Sequence, residues 1–288
     1  MATILKGAPA ANALTETVRA RADVLREGGI APTLAILRVG ERADDLSYER
    51  GALKRAEKAG VEVERILLPA DCSQDELMAA IERVNRDDSI HGCLMFRPLP
   101  RSLDEHAACE ALDSAKDVDC ITSGSLAGVF ANTAQGFPPC TAEAVLCVLE
   151  HYGVALEGAR VTVVGRSLVI GKPVSVMLQA RNATVTMCHT RTRDLAAECR
   201  RAEVLVVAAG HAGCVGADCA APGQVVVDVG INWDETAGRL VGDVAFDEVE
   251  PLVGAITPVP GGVGSLTTAV LMNHVVTAAE RAAERSAS

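Results

Sequence analysis

The chain has 288 residues, enough for one large or two medium domains, and its apolar content of 49% with only 2% aromatic residues predicts a large aliphatic core. Its net charge of -11, from 27 basic and 38 acidic side chains, argues against a nucleic acid as the main partner. Because no apolar run is long enough to cross a membrane and no secretory signal opens the chain, we expect a soluble, cytoplasmic protein without a membrane partner.

The first half of the chain alternates predicted strands with predicted helices. Residues 1–30 carry apolar side chains at helical spacing and end at a pair of glycines, which indicates an opening helix. Strands are then predicted at 33–39, 61–68 and 92–96, and helices at 44–59, 74–84 and 103–112. This alternation is typical of a parallel α/β sheet.

A polar, glycine-containing stretch over residues 116–139 predicts a domain boundary near residue 138. Beyond it we predict helices at 143–152 and 266–285, buried strands at 161–164, 183–188, 204–208 and 225–229, and a hairpin with arms 231–233 and 239–241 and a turn at 234–238. The chain is therefore predicted to form two α/β domains. Residues 1–138, completed by a C-terminal helix over 266–288, form one, and residues 139–265 form a Rossmann-type doubly wound parallel sheet.

Ten cysteines are scattered along the chain without any CxxC pair. In a chain of this length, such scatter predicts reduced, packed thiols instead of a disulfide scaffold. Cys214 and Cys219 lie near His211, but this set is too incomplete to predict a metal site, and we expect no metal.

The turn after the strand at 161–164 has the features of a nucleotide site. Gly165, Ser167 and Gly171 lie between this strand and the following helix, where backbone N–H groups bind pyrophosphate in βαβ units. The spacing is not GxGxxG, so a plain strand-to-helix turn is the alternative interpretation.

The residues around this turn favour NADP over NAD. NAD-binding units usually place an acidic residue after the second strand, whereas this chain has Thr190 and Arg191 there and Arg166 in the turn itself. Arginines and hydroxyl groups suit a 2′-phosphate. The alternative is that these arginines are solvated loop charges.

Several motifs in one order identify a family resemblance. They are Val164 to Ser167 with Val169 to Pro173, Ala183 to Thr186 with Cys188 and His189, Asp228 to Asn232, Gly242 to Val244, and Thr257 to Gly264. Over nearly its whole length the chain resembles the methylenetetrahydrofolate dehydrogenase/methenyltetrahydrofolate cyclohydrolase family. The resemblance implies two α/β domains, a homodimer, a tetrahydrofolate derivative bound between the domains, and hydride transfer from 5,10-methylenetetrahydrofolate to NADP. Most members also hydrolyse the methenyl product.

The resemblance also assigns residues to the site. Tyr48 and Asp119 are the implied catalytic residues, and they bind substrate together with Pro260 and Gly261. The implied cofactor-binding residues are Gly165, Arg166, Ser167, Gly171, Thr190, Arg191, Ile231 and Gly262. From the residues alone, Tyr48 can equally be a core tyrosine, and Asp119 an ordinary loop or capping acid.

Among the positions at which this chain departs from the family pattern, two bear directly on cyclohydrolysis. The family has a lysine four residues after the tyrosine, where this chain has Ala52, and a glutamine in the strand motif, where it has Phe96. In the family these residues activate water and stabilise charge during cyclohydrolysis, which a methyl group and a phenyl ring do not do. We therefore predict an NADP-dependent dehydrogenase whose cyclohydrolase activity is weak or lost. Alternatives are a bifunctional enzyme in which Arg97, Arg50 or Lys54 substitutes for the lysine, and a non-catalytic folate- or nucleotide-binding protein.

Overall fold

The structure is a computed structural model that describes residues 1–235 and 238–286. Its chain forms two compact units. The small-sheet unit consists of Asn12–Cys140 and Thr268–Ser288, and the large-sheet unit consists of Met1–Ala11 and Thr141–Thr267. Each unit has its own parallel sheet and its own aliphatic core, which confirms the predicted two-domain α/β class.

The described residues form the following regular elements. The strands are β1 (Thr3–Ile4), β2 (Thr33–Val39), β3 (Glu62–Leu68), β4 (Gly92–Met95), β5 (Arg160–Val164), β6 (Thr184–Cys188), β7 (Val204–Val207), β8 (Val225–Asp228), β9 (Asn232–Asp234), β10 (Arg239–Val241) and β11 (Ala255–Ile256). The helices are α1 (Gly7–Glu27), α2 (Ala43–Ala59), α3 (Gln74–Arg86), α4 (Glu105–Ala111), α5 (Ser123–Ala131), α6 (Cys140–His151), α7 (Gly171–Gln179), α8 (Leu195–Arg200), α9 (Phe246–Val249) and α10 (Thr267–Ser286).

The small sheet has the strand order β3-β2-β4, and its strands are all parallel. The central strand β2 is buried from its second residue to its last, as expected for a strand covered on both faces. Helix α3 starts with a capping box in which Ser73 and Glu76 satisfy each other's backbone N–H groups. Helix α2 ends at Gly60, whose φ of 73° is the left-handed conformation that favours glycine.

The large sheet has the order β1-β11-β8-β7-β5-β6 and is parallel throughout. Its central strands β7 and β8 are Val-rich and almost entirely buried. The predicted hairpin is present as the antiparallel pair β9 and β10. Two residues of its predicted turn, 236 and 237, lie outside the described residues, as do residues 287 and 288 of the predicted C-terminal helix.

Some predicted elements differ from the observed ones. The polar stretch over 116–139 contains helix α5, which Thr122 caps by accepting the Ser125 N–H. The predicted first domain includes the N terminus, whereas residues Met1–Ala11 belong to the large-sheet unit because β1 pairs with β11. The functional division into domains at residues 138 and 266 stays a prediction.

No helix of the described residues is long and apolar enough to span a membrane. Within the same residues, no group of three or more His, Cys, Asp or Glu side chains is arranged to hold a metal ion.

Candidate active site

The predicted nucleotide turn connects β5 to α7 at the C-terminal edge of the large sheet. Gly165 has a φ of 131°, and a Cβ atom on it would lie 2.1 Å from the Ala208 carbonyl oxygen. A Cβ atom on Gly171 would lie 2.3 Å from the Gly165 carbonyl oxygen. Backbone packing alone therefore requires both glycines, so they do not distinguish a nucleotide site from a plain turn. Ser167 closes the turn by accepting the Ile170 N–H with its hydroxyl oxygen at 3.1 Å.

The charges around the turn distinguish a nucleotide site from a plain turn better than the glycines do. Arg166 follows β5, and Thr190 and Arg191 follow β6, its paired neighbour in the sheet. All three side chains are exposed, and neither guanidinium group has an ion pair or hydrogen bond with a side chain in the described part of the chain. Two unpaired cations at adjacent strand ends of an acidic protein provide the donors that a 2′-phosphate requires, so these residues fit NADP.

The loop over residues 257–264 forms one wall of a cavity of about 250 Å³ at the same edge. Ile231, Leu240 and Gly262 line this cavity. The Val259–Pro260 peptide is cis, and Gly261, with a φ of 101°, accepts the Gly7 N–H on its carbonyl oxygen at 2.8 Å. The structure therefore places the predicted residues Ile231, Pro260, Gly261 and Gly262 around one opening.

In the small-sheet unit, Tyr48 contacts the residue that replaces the family glutamine. The rings of Tyr48 on α2 and Phe96 after β4 meet edge to face, with centroids 5.9 Å apart. Such aromatic pairs stabilise their arrangement by about 0.5–1.5 kcal/mol beyond the area they bury. Tyr48 is half-buried, so its ring position is fixed while part of it stays accessible.

Position 52, where the family has a lysine, is closed by packing. Ala52 lies one helical turn after Tyr48 and is completely buried. Arg50 and Lys54, two of the predicted substitutes, are exposed on α2 and lie off this buried face. They are therefore poor substitutes for a lysine at position 52.

Arg97, the third predicted substitute, directly follows Phe96 and is half-buried. Its Nη1 atom lies 3.9 Å from the Glu105 Oε1 atom. The nearby Cys120 thiol reports on its charge. Burial and the Asp117 and Asp119 carboxylates raise the pKa of Cys120, whereas the Arg97 guanidinium lowers it. Arg97 thus lies within electrostatic range of the segment that carries Asp119.

Asp119 is held in a loop organised by Asp117. The fully buried Asp117 carboxylate accepts the backbone N–H groups of Ile121 and Thr122 at 2.9 and 2.8 Å. Asp119 itself accepts the Cys140 N–H on Oδ1 at 3.0 Å. Burial raises the pKa of Asp119, and the hydrogen bonds from Cys140 oppose that rise. A partly accessible carboxylate with a raised pKa is a candidate functional group.

Sequence reasoning missed His274, which lies on α10 close to this loop. Its Nδ1 atom is 2.8 Å from the Val118 carbonyl oxygen, and because a carbonyl only accepts, Nδ1 carries the proton. The ring stacks on Phe137 with centroids 4.9 Å apart. The nearest sequence signal is the Pro139-Cys140-Thr141 motif, because the Cys140 thiol donates to the same Val118 oxygen at 3.3 Å.

The predicted site residues are divided between the two units. Tyr48 and Asp119 belong to the small-sheet unit, and the predicted cofactor-binding residues belong to the large-sheet unit with Pro260 and Gly261. The roles of these residues in binding and catalysis stay predictions.

Comparison with known proteins shows the family. Residues 5–119 match the catalytic domain and residues 139–283 match the NAD(P)-binding domain of tetrahydrofolate dehydrogenase/cyclohydrolase. The bifunctional protein FolD of Carboxydothermus hydrogenoformans is 50% identical over 281 residues, which cover 97% of this chain and 98% of that protein.

Solved structures agree with this match. The bifunctional FolD methylenetetrahydrofolate dehydrogenase/cyclohydrolase of Campylobacter jejuni has a TM-score of 0.93 at 36% identity, covering 98% of this chain and 99% of that chain. The Trypanosoma brucei methylenetetrahydrofolate dehydrogenase-cyclohydrolase, solved with NADP and an inhibitor, has a TM-score of 0.90 at 33% identity and covers 98% of both chains. With both domain models matched and relatives similar along the whole length, the chain belongs to the tetrahydrofolate dehydrogenase/cyclohydrolase family.

Proposed function

We propose that this chain oxidises 5,10-methylenetetrahydrofolate with NADP as the hydride acceptor. The observation that carries the proposal is the pair of unpaired guanidinium groups, Arg166 and Arg191, at adjacent strand ends within the residues that match the NAD(P)-binding domain. These cations suit the 2′-phosphate that distinguishes NADP from NAD.

The chain's own residues bind and orient the substrate. Asp119 accepts hydrogen bonds from the pterin amino and ring N–H groups, which its partly accessible carboxylate suits once it is ionised. Tyr48, whose ring is fixed by Phe96, packs on the folate and polarises it through its hydroxyl group. NADP, held by Arg166, Thr190 and Arg191, would supply the hydride acceptor for the methylene carbon. Orientation of the two reactants is then the main requirement of this step.

The direct test is an assay of reduced cofactor formation from 5,10-methylenetetrahydrofolate, run in parallel with NADP and NAD. The proposal predicts a clearly higher kcat/KM with NADP. Equal efficiency with both cofactors would refute the 2′-phosphate site, and no activity with either would favour the alternative of a non-catalytic folate- or nucleotide-binding protein.

We also propose that the chain hydrolyses the methenyl product. The expectation of a weak or lost cyclohydrolase, drawn from Ala52 and Phe96, gains no support from relatives up to 50% identical that are called bifunctional. The bifunctional interpretation fits these relatives better. Arg97 is the best substitute in this chain, because it is half-buried beside Phe96 and within electrostatic range of the Asp119 loop, whereas Arg50 and Lys54 are exposed.

A guanidinium group stays protonated at neutral pH, so Arg97 would stabilise developing negative charge and would not abstract a proton. The Arg97→Met variant should therefore lose at least about tenfold in methenyltetrahydrofolate hydrolysis. The dehydrogenase rate should change little, and Arg101→Met, at an exposed arginine of the same loop, serves as the control. Unchanged hydrolysis in Arg97→Met would assign the activity to another residue, and hydrolysis at the spontaneous rate in the unmodified protein would restore the original prediction.

Two further expectations are also proposals. A homodimer is supported by β3, the edge strand of the small sheet, which has no strand on its outer side in the described residues and exposes Leu67. Light scattering combined with gel filtration would measure the mass in solution.

A cytoplasmic location is supported by the ten free cysteines, because reduced thiols are typical of a reducing compartment.

A further inference from the structure

Two buried carboxylates lie at the edge of the large sheet where the cofactor loops converge. Asp228 ends β8, and Asp243 follows β10; they are 3% and 0% exposed. Both belong to motifs that resemble the family, but the sequence alone suggests no role for either.

Asp243 joins the loop after β7 to the start of the hairpin. Its Oδ2 atom accepts the backbone N–H groups of Ala209 and Gly210 at 2.7 and 2.8 Å. Its Oδ1 atom accepts the side-chain amide of Asn232 at 2.9 Å. One carboxylate therefore fixes two segments that are far apart in the chain.

Asp228 joins the loop after β8 to the segment that follows β10. Its Oδ1 atom accepts the N–H groups of Gly230 and Asp243, both at 3.0 Å, and its Oδ2 atom accepts the Val244 N–H at 3.0 Å. The Asp228 N–H donates to the Thr257 hydroxyl oxygen at 2.8 Å, which attaches the loop over 257–264 to the same point.

Two glycines let the carboxylates approach the backbone this closely. A Cβ atom on Gly230 would lie 2.1 Å from the Asp243 Cγ atom, and one on Gly242 would lie 1.8 Å from the Asp228 Oδ2 atom. Side chains at these positions would separate the carboxylates from their N–H donors, so the arrangement depends on all four residues.

We propose that Asp228 and Asp243 are positioning residues for the cofactor. Their oxygens are occupied by N–H groups of the protein, and through these bonds they hold the segments that carry Ile231 and Gly262 around the cavity of about 250 Å³. The inference rests on the proposed cofactor-binding role of Ile231 and Gly262. We expect the carboxylates to control NADP affinity through the segments that they hold, although Asp228 itself also lines this cavity.

Asp228 and Asp243 differ in how well each tolerates replacement by asparagine. Both oxygens of Asp228 accept backbone N–H groups, so in Asp228→Asn an NH₂ group faces an N–H whichever way the amide turns. In Asp243→Asn the remaining oxygen can keep both backbone bonds, because the partner of the other atom is the Asn232 amide, which can turn over. The same loss of one negative charge thus has different consequences at the two sites.

The experiment is calorimetric titration of the full-length protein with NADP at mildly alkaline pH, above the pKa of about 6 to which burial raises Asp228. Asp228→Asn should weaken NADP binding about tenfold or more, and Asp243→Asn less than about threefold. Asp243→Ala should behave like Asp228→Asn, so a second severe variant is available if Asp228→Asn does not fold.

Gln224→Leu is the matched control for a merely structural loss. Gln224 is as buried as the two aspartates and belongs to the same unit. It lies just before β8, at the opposite edge of the sheet, and its side-chain amide donates to the carbonyl oxygens of Cys199 and Ala202. The Gln224→Leu substitution should lower the melting temperature and leave the Kd for NADP unchanged. Folded Asp228→Asn and Asp243→Ala proteins with the unmodified Kd, or an equal loss of affinity in Gln224→Leu, would overturn the inference. An unmodified protein that does not bind NADP would instead refute the proposed function.

Discussion

At the residue scale, the proposed choice of cofactor depends on exposed arginines. Replacing Arg166 by methionine removes charge-assisted hydrogen bonds to the 2′-phosphate, so we expect NADP binding to weaken about tenfold. NAD lacks this phosphate, and its binding should barely change. Arg160→Met is a matched control, because Arg160 is also exposed but opens β5 at the opposite edge of the sheet. Kd values for both cofactors measure the effect, and a loss shared equally by NAD would contradict the assignment.

Asp119 is the residue that we propose recognises the folate. Asp119→Ala removes the acceptor for the pterin N–H groups, so the KM for the folate should rise by about tenfold or more. The Kd for NADP should stay as it is, because Asp119 belongs to the small-sheet unit. If folate binding measured by calorimetry is unaltered, Asp119 is a loop residue like its neighbour Asp117.

The raised pKa of Asp119 predicts a pH dependence. A carboxyl group with a raised pKa takes up its proton at a higher pH than an ordinary aspartate. Protonation removes acceptor capacity, so the KM for the folate should increase as the pH falls through this raised pKa, and it should level off at higher pH. Asp119→Asn should remove this dependence. A profile that is the same in the variant and in the unmodified protein would assign the titration to another group.

At the element scale, α2 shows how far the sequence is informative. The helix, its end at Gly60 and the positions of Tyr48 and Ala52 on it follow from spacing and glycine chemistry, because these are local properties. Helix α5 was missed because small and polar residues hide its periodicity, and its ends depend on a Thr122 cap and a left-handed Asn132. The two-residue strands β1 and β11 pair across most of the chain, and no local pattern predicts such contacts.

The buried face of α2 makes a prediction about the lost lysine. Ala52 is fully buried, so Ala52→Lys places a charge in a packed interface and should lower the free energy of unfolding by about 3 kcal/mol or more. Phe96→Gln in the same protein should recover part of this loss by supplying a polar partner. The control is Ala43→Lys, in the exposed first turn of the same helix. Urea denaturation measures the effect, and equal stability of the two lysine variants would show that the site accommodates the charge.

At the scale of the whole molecule, local motifs were sufficient for the family, which is confirmed by the matched domains and relatives. The matched C-terminal domain is an NAD(P)-binding domain, and the preference for NADP over NAD stays a proposal. The networks around Asp228 and His274 were not predictable, because each joins residues that are distant in the chain. Their residue types are visible in the sequence, but their hydrogen bonds exist only in the folded chain.

The cysteines provide a test of packing across the whole molecule. Burial raises the pKa of Cys93 and Cys147 to about 12 and that of Cys214 to about 11. Because the thiolate is the reactive form, the folded protein should react slowly with alkylating reagents at neutral pH. Cys147 and Cys214, which are only half-buried, should react first. Mass spectrometry of labelled peptides gives the order, and rapid labelling of Cys93 would contradict the described core.

The most direct test of the central claim follows the hydride itself. The protein is incubated with 5,10-methylenetetrahydrofolate deuterated at the methylene carbon and with NADP, and the reduced cofactor is analysed by mass spectrometry. We expect one deuterium in each NADPH formed, with the other retained in the methenyl or formyl product. Reduced cofactor without deuterium, or no reduction of NADP at all, would contradict it.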